Sequence, residues 1–335
     1  MTINSAQQEV TAYSVEHTPV ISGSPMAFVA QPRKGDRGLF AIARISALLS
    51  AALLLLIISF ITIEAVGTIG DLGTRLFTDD GWFPASNTNG QFNLTAMVVG
   101  SLLVALLAMA VATPLAIGSV LFAHSLRQRQ GWLIVIYRRL LELLAGIPSV
   151  VFGLWGLVVL VPLVAHIQPP GASLLTGALV LALMVLPTIA LLADSALNAV
   201  PQALRQGGLA LGLSEWRVTV KILLPQARSG LVAGSILGLG RALGETMVVL
   251  MVCGNVVQLP SSLLDPIRTL TANIALEMAY AGGVQRGALF VSGLVLMLLV
   301  QTVFGQFNSL SDIQKAMLQS DYWDIVEEGS IPNSN

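Results

Sequence analysis

The sequence predicts an all-α membrane protein with six transmembrane helices, and three observations support this. Of the 335 residues, 55% are hydrophobic and only 10% are charged, and the mean hydropathy is +0.80. Soluble domains carry about 25% charged residues, so this balance is typical of a membrane protein. Six apolar stretches are long enough to cross a bilayer core, which takes roughly 20 residues of helix. These stretches are continuous and do not alternate, which favours helices over barrel strands.

The predicted spans follow one another along most of the chain. They are Leu39–Ile63, Leu94–Ala123, Leu140–Ala165, Ala172–Ala193, Ser229–Cys253 and Gly287–Gly305. Residues 1–38 are polar and lack helical periodicity, which predicts a disordered tail. Residues 306–335 are predicted to form an acidic tail that begins as a short amphipathic helix. Four prolines within the spans predict kinks, because they remove backbone hydrogen bonds: Pro114, Pro148, Pro162 and Pro187.

The distribution of basic residues predicts the orientation of the chain. With the N-terminus in the cytoplasm, 13 of the 17 Lys and Arg residues lie in cytoplasmic segments, three lie on the opposite side, and Arg241 lies within the membrane. Positive charge concentrates in cytoplasmic loops, so both termini are predicted to be cytoplasmic. This orientation gives outer loops at residues 64–93 and 254–286, with a short interfacial helix in the second, and a large inner loop at residues 196–228.

The fifth predicted span contains a charged pair in the stretch "GRALGETMVVL". Arg241 and Glu245 are four residues apart, which on a continuous helix allows them to pair along one face. An arginine at the centre of a span costs about 2.5–3.5 kcal/mol on insertion, so it is expected to face a bundle interior or a wet cavity. The same face carries Gly230, Gly234 and Gly238, small residues that let another helix pack closely.

Two roles for this charged pair remain open from the sequence. One is a structural ion pair that locks two helices together. The other is a path for an anion, in which Arg241 binds an oxyanion and Glu245 orients the guanidinium. The guanidinium suits this second role because it can donate two parallel hydrogen bonds to an oxyanion.

Several function classes find no support in the sequence. The single cysteine, Cys253, excludes an intrachain disulfide and a cysteine-based metal site, and the histidines His17, His124 and His166 are scattered. The net charge of −1 gives no nucleic-acid signature. No G-x-x-x-x-G-K-[ST] loop is present to bind nucleotide phosphates. We therefore expect no cofactor, metal or catalytic site in this chain, and no binding of nucleic acid.

The inner loop contains a basic helix–turn–helix, in the stretch "VPQALRQGGLALGLSEWRVTVKILLPQA". Pro201 suits the start of a helix over residues 202–211, and Gly212 suits its end. Ser214 can cap a second helix, which Pro225 is predicted to stop. On its own, this segment also fits an element that lies on the membrane surface.

The inner loop also has a spaced Gly–Pro pattern. It resembles the signature of ABC-importer permeases, which reads Glu-Ala-Ala, three residues, Gly, nine residues, Ile-x-Leu-Pro. The corresponding positions here are Gln206, Gly207, Gly208, Gly212, Ile222, Leu224 and Pro225. The first three depart from Glu-Ala-Ala, and the others match. The resemblance implies that this loop is a coupling helix that docks in a groove of an ATPase subunit.

Two more stretches narrow the resemblance. "ELLAGIPSVVFGLWG" at residues 142–156 and "GLGRALGETMVV" at residues 238–249 resemble the C-type permeases of phosphate-specific ABC transporters. The resemblance implies a type I importer permease with a permease domain at residues 39–305, in the bacterial inner membrane. It also implies a heterodimer with an A-type permease, two ATPase subunits that bind ATP and Mg²⁺, and an extracytoplasmic phosphate-binding protein.

Some alternatives stay open at this point. Glu142 fits either an interfacial ion pair with Arg138 or Arg139, or a gate at the inner mouth. The chain as a whole also fits an ABC permease for another oxyanion, such as molybdate or sulfate. A secondary transporter would need a coupling-ion site or paired repeats, neither of which is visible. For a membrane enzyme, Arg241 and Glu245 are the one candidate pair.

Overall fold

The computed structural model of the chain describes residues 36–84, 90–125 and 131–328. The predicted tail at residues 1–38 lies almost entirely outside these ranges, and so does the end of the acidic tail, at residues 329–335. The helices are α1 Asp36–Leu72, α2 Arg75–Thr78, α3 Thr95–Ser125, α4 Gly131–Gly146, α5 Ser149–Trp155, α6 Val161–Ala165, α7 Leu174–Asn198, α8 Gln202–Ala210, α9 Glu215–Val218, α10 Leu224–Gly244, α11 Met247–Val252, α12 Leu270–Glu277 and α13 Gly283–Glu328. Two π-helical turns, Gly156–Leu160 and Thr219–Leu223, join α5 to α6 and α9 to α10.

The chain separates into two compact units. The described part of the first, which ends at Leu56, is the N-terminal portion of α1. The second begins at Ile57 and contains the remaining elements, including a short antiparallel hairpin of β1 Trp82–Phe83 and β2 Gln91–Phe92. We call the end of the second unit that carries this hairpin the hairpin end, and the end that carries α8 and α9 the loop end.

The membrane-spanning character of the fold agrees with the sequence prediction. Among the described residues, five helical stretches are long and apolar enough to cross a membrane, and a bent helix pair makes a sixth if it counts as one span. The five are Gly38–Leu72, Thr95–His124, Leu174–Asn198, Glu215–Gly244 and Gly283–Gly305. The predicted fold class, an all-α polytopic membrane protein, is therefore confirmed.

The predicted third span is not a single helix. The stretches Ile134–Gly146 and Ser149–Ala165 meet at a bend of 91°. Pro148 explains the bend, because proline lacks an N–H group and disfavours helical backbone in the residue before it. Its backbone is extended, with ψ at 139°, and α5 begins directly after it. The sequence predicted a kink at this proline, but not a break of this size.

The predicted fifth span is displaced along the chain. Its helix begins at Glu215 and ends at Gly244, whereas the prediction placed it at residues 229–253. Pro225 does not stop a helix, since it lies in the first turn of α10. The π turn before α10 makes room for the proline ring. In this turn the amide of Leu224 bonds to the carbonyl of Thr219, five residues back instead of four.

Helix α7 is the centre of the second unit. Of the 18 residues in the most apolar stretch of α7, 67% are buried, and α7 packs mainly against α3 and α10. One face of α3 consists of alanines three or four residues apart, each with 0% exposure: Ala105, Ala108, Ala112 and Ala116. Small side chains on one helical face allow the helix axes to approach closely, which is how helices associate in a membrane.

The hairpin end is held by a buried carboxylate. Glu277 at the end of α12 accepts hydrogen bonds from Trp82 Nε1 and from Arg268 Nη1, both at 2.8 Å. Arg268 also donates through Nε to the carbonyl of Asn255. The Thr269 side chain caps α12 by accepting from the amide of Ala272. The short helix expected in the second outer loop is thus present and tied to the hairpin.

A second carboxylate organises the loop before α12. Asp265 accepts hydrogen bonds from the Ser261 hydroxyl and from the amides of Ser262 and Ser261, which lower the pKa of this carboxyl. These donors favour the charged form, so the turn keeps its hydrogen bonds at neutral pH.

Candidate functional site

Arg241 lies in the last turn of α10 and reaches toward α7. Its Nη1 atom donates a hydrogen bond to Thr188 Oγ1 at 2.7 Å, and both side chains are partly buried. Among the ion pairs of the described residues, none includes Arg241. A guanidinium has five N–H donors, so a single neutral hydroxyl leaves most of its capacity unused. Arg241 therefore presents a positive charge that no carboxylate of the described chain neutralises.

The predicted ion pair between Arg241 and Glu245 is wrong. The prediction assumed one continuous helix, in which residues four apart stack on one face. Helix α10 instead ends at Gly244, and the backbone of Glu245 is extended, with φ −69° and ψ 133°. The break turns the Glu245 side chain away from the direction that a helix would give it.

Glu245 caps the next helix. Its Oε1 atom accepts hydrogen bonds from the amides of Met247 at 3.0 Å and Val248 at 3.2 Å, at the start of α11. Its backbone carbonyl accepts from Thr271 Oγ1 at 2.8 Å, which attaches the break to α12. Glu245 thus stabilises the interruption between α10 and α11 and does not orient Arg241.

The glycines of α10 lie against α7. A Cβ atom on Gly230 would be 2.5 Å from Cβ of Ala196, and one on Gly238 would be 2.8 Å from Cγ1 of Ile189. Gly234 likewise meets α7, at 3.0 Å. A larger residue at Gly230 would require movement of one helix, and at Gly234 and Gly238 the facing side chains of α7 would have to shift. This close approach brings the next turn of α10, which carries the arginine, within hydrogen-bond distance of α7.

The inner loop has internal order of its own. Gly212 ends α8 with a positive φ of 77°, which glycine adopts without strain. Ser214 caps α9, since its Oγ accepts from the amide of Arg217. An ion pair between Arg205 Nη2 and Glu215 Oε2 at 2.9 Å joins the two short helices. The predicted helix–turn–helix is present, and its two arms are connected by this pair.

The three signature positions that depart from Glu-Ala-Ala differ in their surroundings. Gln206 and Gly207 are exposed, and a Cβ on Gly207 would meet no atom within 4 Å. Gly208 is buried, and a Cβ there would be 2.7 Å from Ile222 Cδ1 and 3.0 Å from Val218 Cγ2. Glycine at position 208 therefore lets α8 pack directly on the π turn. Nothing in the structure explains the glycine at position 207.

The later residues of the signature differ in how far they are buried. Ile222 and Leu224 are partly buried, and Pro225 is exposed. The loop also exposes large apolar side chains: Leu211 is 83% exposed and Trp216 is 51% exposed. The loop end thus exposes apolar side chains beside two short helices that an ion pair joins.

A polar cluster lies beside the loop end of the bundle. Glu142 pairs with Arg139 at 2.8 Å and with Arg138 at 3.4 Å, so the expected ion pair is present. Arg138 also lies 3.6 Å from Asp194 Oδ2, and His124 Nε2 is 2.9 Å from Asp194 Oδ1. The cluster therefore joins α3, α4 and α7. No sequence pattern groups His124 with Asp194, and His124 is buried.

Comparison with known proteins gives the family. Residues 115–312 match the family model described as a binding-protein-dependent transport system inner membrane component. The chain belongs to this family. It is also 35% identical to the phosphate transport system permease protein PstC of Haemophilus influenzae, over 77% of this chain and 87% of that protein. It is 37% identical to the probable ABC transporter permease protein YqgH of Bacillus subtilis, over 67% of this chain and 73% of that protein.

A solved permease structure shows the same fold. The inward-facing MetNI methionine ABC transporter aligns with 65% of this chain and 94% of its own, with a TM-score of 0.51 and 20% identity. The family match contains Arg241 with its threonine partner, the inner loop and the polar cluster around Asp194. The chain is therefore a multi-pass membrane transport component of the permease type, and the residues described above lie within its family-defining part.

Proposed function

We propose that this chain is the permease subunit of an ATP-driven importer of inorganic phosphate, and that it forms one half of the translocation path. The observation that carries the proposal is the Arg241 guanidinium, held within a span by a neutral hydroxyl and without a carboxylate partner among the described residues. The relatives named as phosphate transport permeases support phosphate as the transported oxyanion.

Arg241 acts as a transient binding site for the anion. A fixed cation within the span lowers the electrostatic cost of bringing a phosphate oxyanion across, and the planar fork donates parallel hydrogen bonds to two oxygens. Binding must stay weak enough for release, as at any site along a conduit. A partly buried and partly accessible guanidinium meets both conditions, because water screens part of its attraction.

The loop end faces the cytoplasm in this proposal, because basic residues concentrate there, in the N-terminal segment and at residues 127–139. Its apolar surface docks on one of two partner ATPase subunits, which bind ATP and Mg²⁺. An A-type permease completes the path, and an extracytoplasmic phosphate-binding protein delivers the anion at the hairpin end. The rigid pairing of Arg205 with Glu215 supports a role in force transmission, since a flexible loop would absorb movement.

The test is uptake by the whole complex. The heterodimer with its ATPase subunits is reconstituted in vesicles, and labelled phosphate uptake is measured with ATP inside and the binding protein outside. We expect Arg241→Ala to abolish uptake and Arg241→Lys to lower it about tenfold, because an ammonium lacks the planar fork. Arg286→Ala is the control, since this exposed arginine lies at the hairpin end, where its guanidinium lies over the Phe290 ring.

Two results would contradict the proposal. Normal uptake by Arg241→Ala would exclude a role in the path. Competition of labelled phosphate uptake by molybdate or sulfate at equal concentration would assign the transporter to another oxyanion.

A further inference from the structure

The hydroxyl of Thr188 behaves differently from other hydroxyls in the helices. Serine and threonine inside a helix commonly donate to the carbonyl four residues earlier. Ser195 donates in this way to Leu191 at 2.9 Å, and Ser235 donates to Leu231 at 3.0 Å. Thr188 instead accepts from Arg241. Accepting uses a lone pair of the oxygen, so the hydroxyl proton is left without an acceptor among the described residues.

The position of Thr188 is set by two independent features. It directly follows Pro187, the buried proline in the middle of α7. It also precedes Ile189, whose side chain contacts Gly238 where α10 packs against α7. The packing of α10 on α7 therefore brings the threonine oxygen within reach of the guanidinium.

We infer that Thr188 is a positioning residue of the phosphate path, and this inference rests on the proposed function. Its oxygen accepts from the guanidinium of Arg241 and fixes the direction of the fork. Its own O–H then donates to an oxygen of the passing phosphate. The anion is held by donors from two helices, α7 and α10, so that movement of one helix against the other opens the cradle.

The chemistry of this cradle predicts which kinetic parameter changes. A cradle that consists of hydrogen-bond donors can bind an oxygen of any oxyanion, so it discriminates little between anions. Loss of the threonine hydroxyl should therefore lower the maximal rate of transport. The phosphate concentration for half-maximal uptake should stay unchanged, because the external binding protein sets it in the proposed assembly.

The experiment compares Thr188→Val, Thr188→Ser and wild type in the reconstituted complex. Valine keeps the shape of threonine but has no hydroxyl, and serine keeps the hydroxyl. Hydrogen bonds to charged groups are stronger than those between neutral groups, so Thr188→Val should lower the maximal rate about tenfold or more. Thr188→Ser should recover it to within about twofold on the same argument. Ser195→Ala, two turns along the same helix, is the matched control.

A double variant separates positioning from packing. In an Arg241→Lys background, which still transports phosphate, Thr188→Val should cause a smaller loss than in wild type, because the hydroxyl then has no guanidinium to direct. Stimulation of ATP hydrolysis by the loaded binding protein should persist in Thr188→Val, which shows that the complex has assembled. The number of phosphates imported per ATP should fall.

Three results would overturn the inference: a wild-type rate in Thr188→Val, an equal loss in Thr188→Ser, or full additivity with Arg241→Lys. Failure of the proposed function has a different signature. A wild-type complex that imports sulfate or molybdate and not phosphate would overturn the substrate, and the Thr188 comparison would then be made with that anion.

Discussion

At the residue scale, Glu245 shows how a carboxylate beside a buried arginine can serve the backbone instead. A helix that begins inside a membrane has amide groups that water cannot satisfy, and each unsatisfied group is costly there. Glu245 satisfies two of these amides at the start of α11. The carboxylate is thus used by the protein itself, and in the proposed function the positive charge of Arg241 stays available for the anion.

This assignment predicts different results for two substitutions of Glu245. Glutamine retains an oxygen that can accept from the amides of α11, whereas alanine retains none. We expect Glu245→Ala to destabilise the protein by about 1 kcal/mol, and Glu245→Gln to cost less than half of that. Thermal unfolding of the purified complex in detergent measures both. Equal destabilisation by the two variants would show that the charge matters, as it would in an ion pair with Arg241.

At the scale of elements, the contact between α7 and α10 depends on the absence of side chains. Helices in a lipid environment gain little from the hydrophobic effect when they associate, so close packing supplies most of the attraction. Gly230, Gly234 and Gly238 provide that packing along three successive turns of α10. The same contact determines where Arg241 can reach.

A methyl group in this contact should have a measurable cost. At Gly238 a Cβ would be 2.8 Å from Ile189, and overpacking of this kind typically costs 1–3 kcal/mol. We expect Gly238→Ala to lower both the thermal stability of the complex and phosphate uptake. Gly244→Ala is the control on the same helix, because a Cβ there meets no atom within 4 Å. An unchanged melting temperature for Gly238→Ala would show that α10 tolerates displacement from α7.

The breaks in the helices explain where prediction from the sequence stops. Hydropathy locates long apolar stretches, and it placed α3, α7 and the apolar part of α13 correctly to within a few residues. It does not detect the break at Glu245, because the apolar run continues on both sides of it. Because helical spacing assumes a continuous helix, it predicts that Arg241 pairs with Glu245, and this prediction is wrong.

The partner of Arg241 could not be predicted from the sequence, for a different reason. Thr188 lies 53 residues earlier in the chain, and only the packing of α10 on α7 brings the two together. A threonine directly after a proline in an apolar run was the one available signal, and it is weak. The charged residue itself was predictable, since an arginine within a span needs an explanation.

At the scale of the whole molecule, the ion pair of Arg205 and Glu215 joins the two arms of the inner loop. The side chains are 22% and 13% exposed, so the pair is more shielded from solvent than a surface salt bridge. Removal of one partner leaves the other charge partly buried and uncompensated. Such a pair is suited to keep α8 and α9 in one orientation while a partner protein applies force.

Exchange of the two charges tests this role. We expect Arg205→Glu and Glu215→Arg, each alone, to lower the number of phosphates imported per ATP hydrolysed. The double variant should recover a large part of the loss, because the attraction is restored with reversed sign. Arg217→Glu is the control, an exposed charge in the same loop. A double variant as defective as the worse single variant would show that the two residues act separately.

The unbroken helix from Glu215 to Gly244 has a geometric consequence for the anion path. With about 1.5 Å of rise per residue, Arg241 lies roughly 24 Å along the helix from Pro225. Over this lever arm, a tilt of about 10° at the loop end displaces the guanidinium by roughly 4 Å. That displacement exceeds the 2.7 Å length of the bond to Thr188. A small tilt of the helix at the loop end would therefore be enough to make or break this single contact.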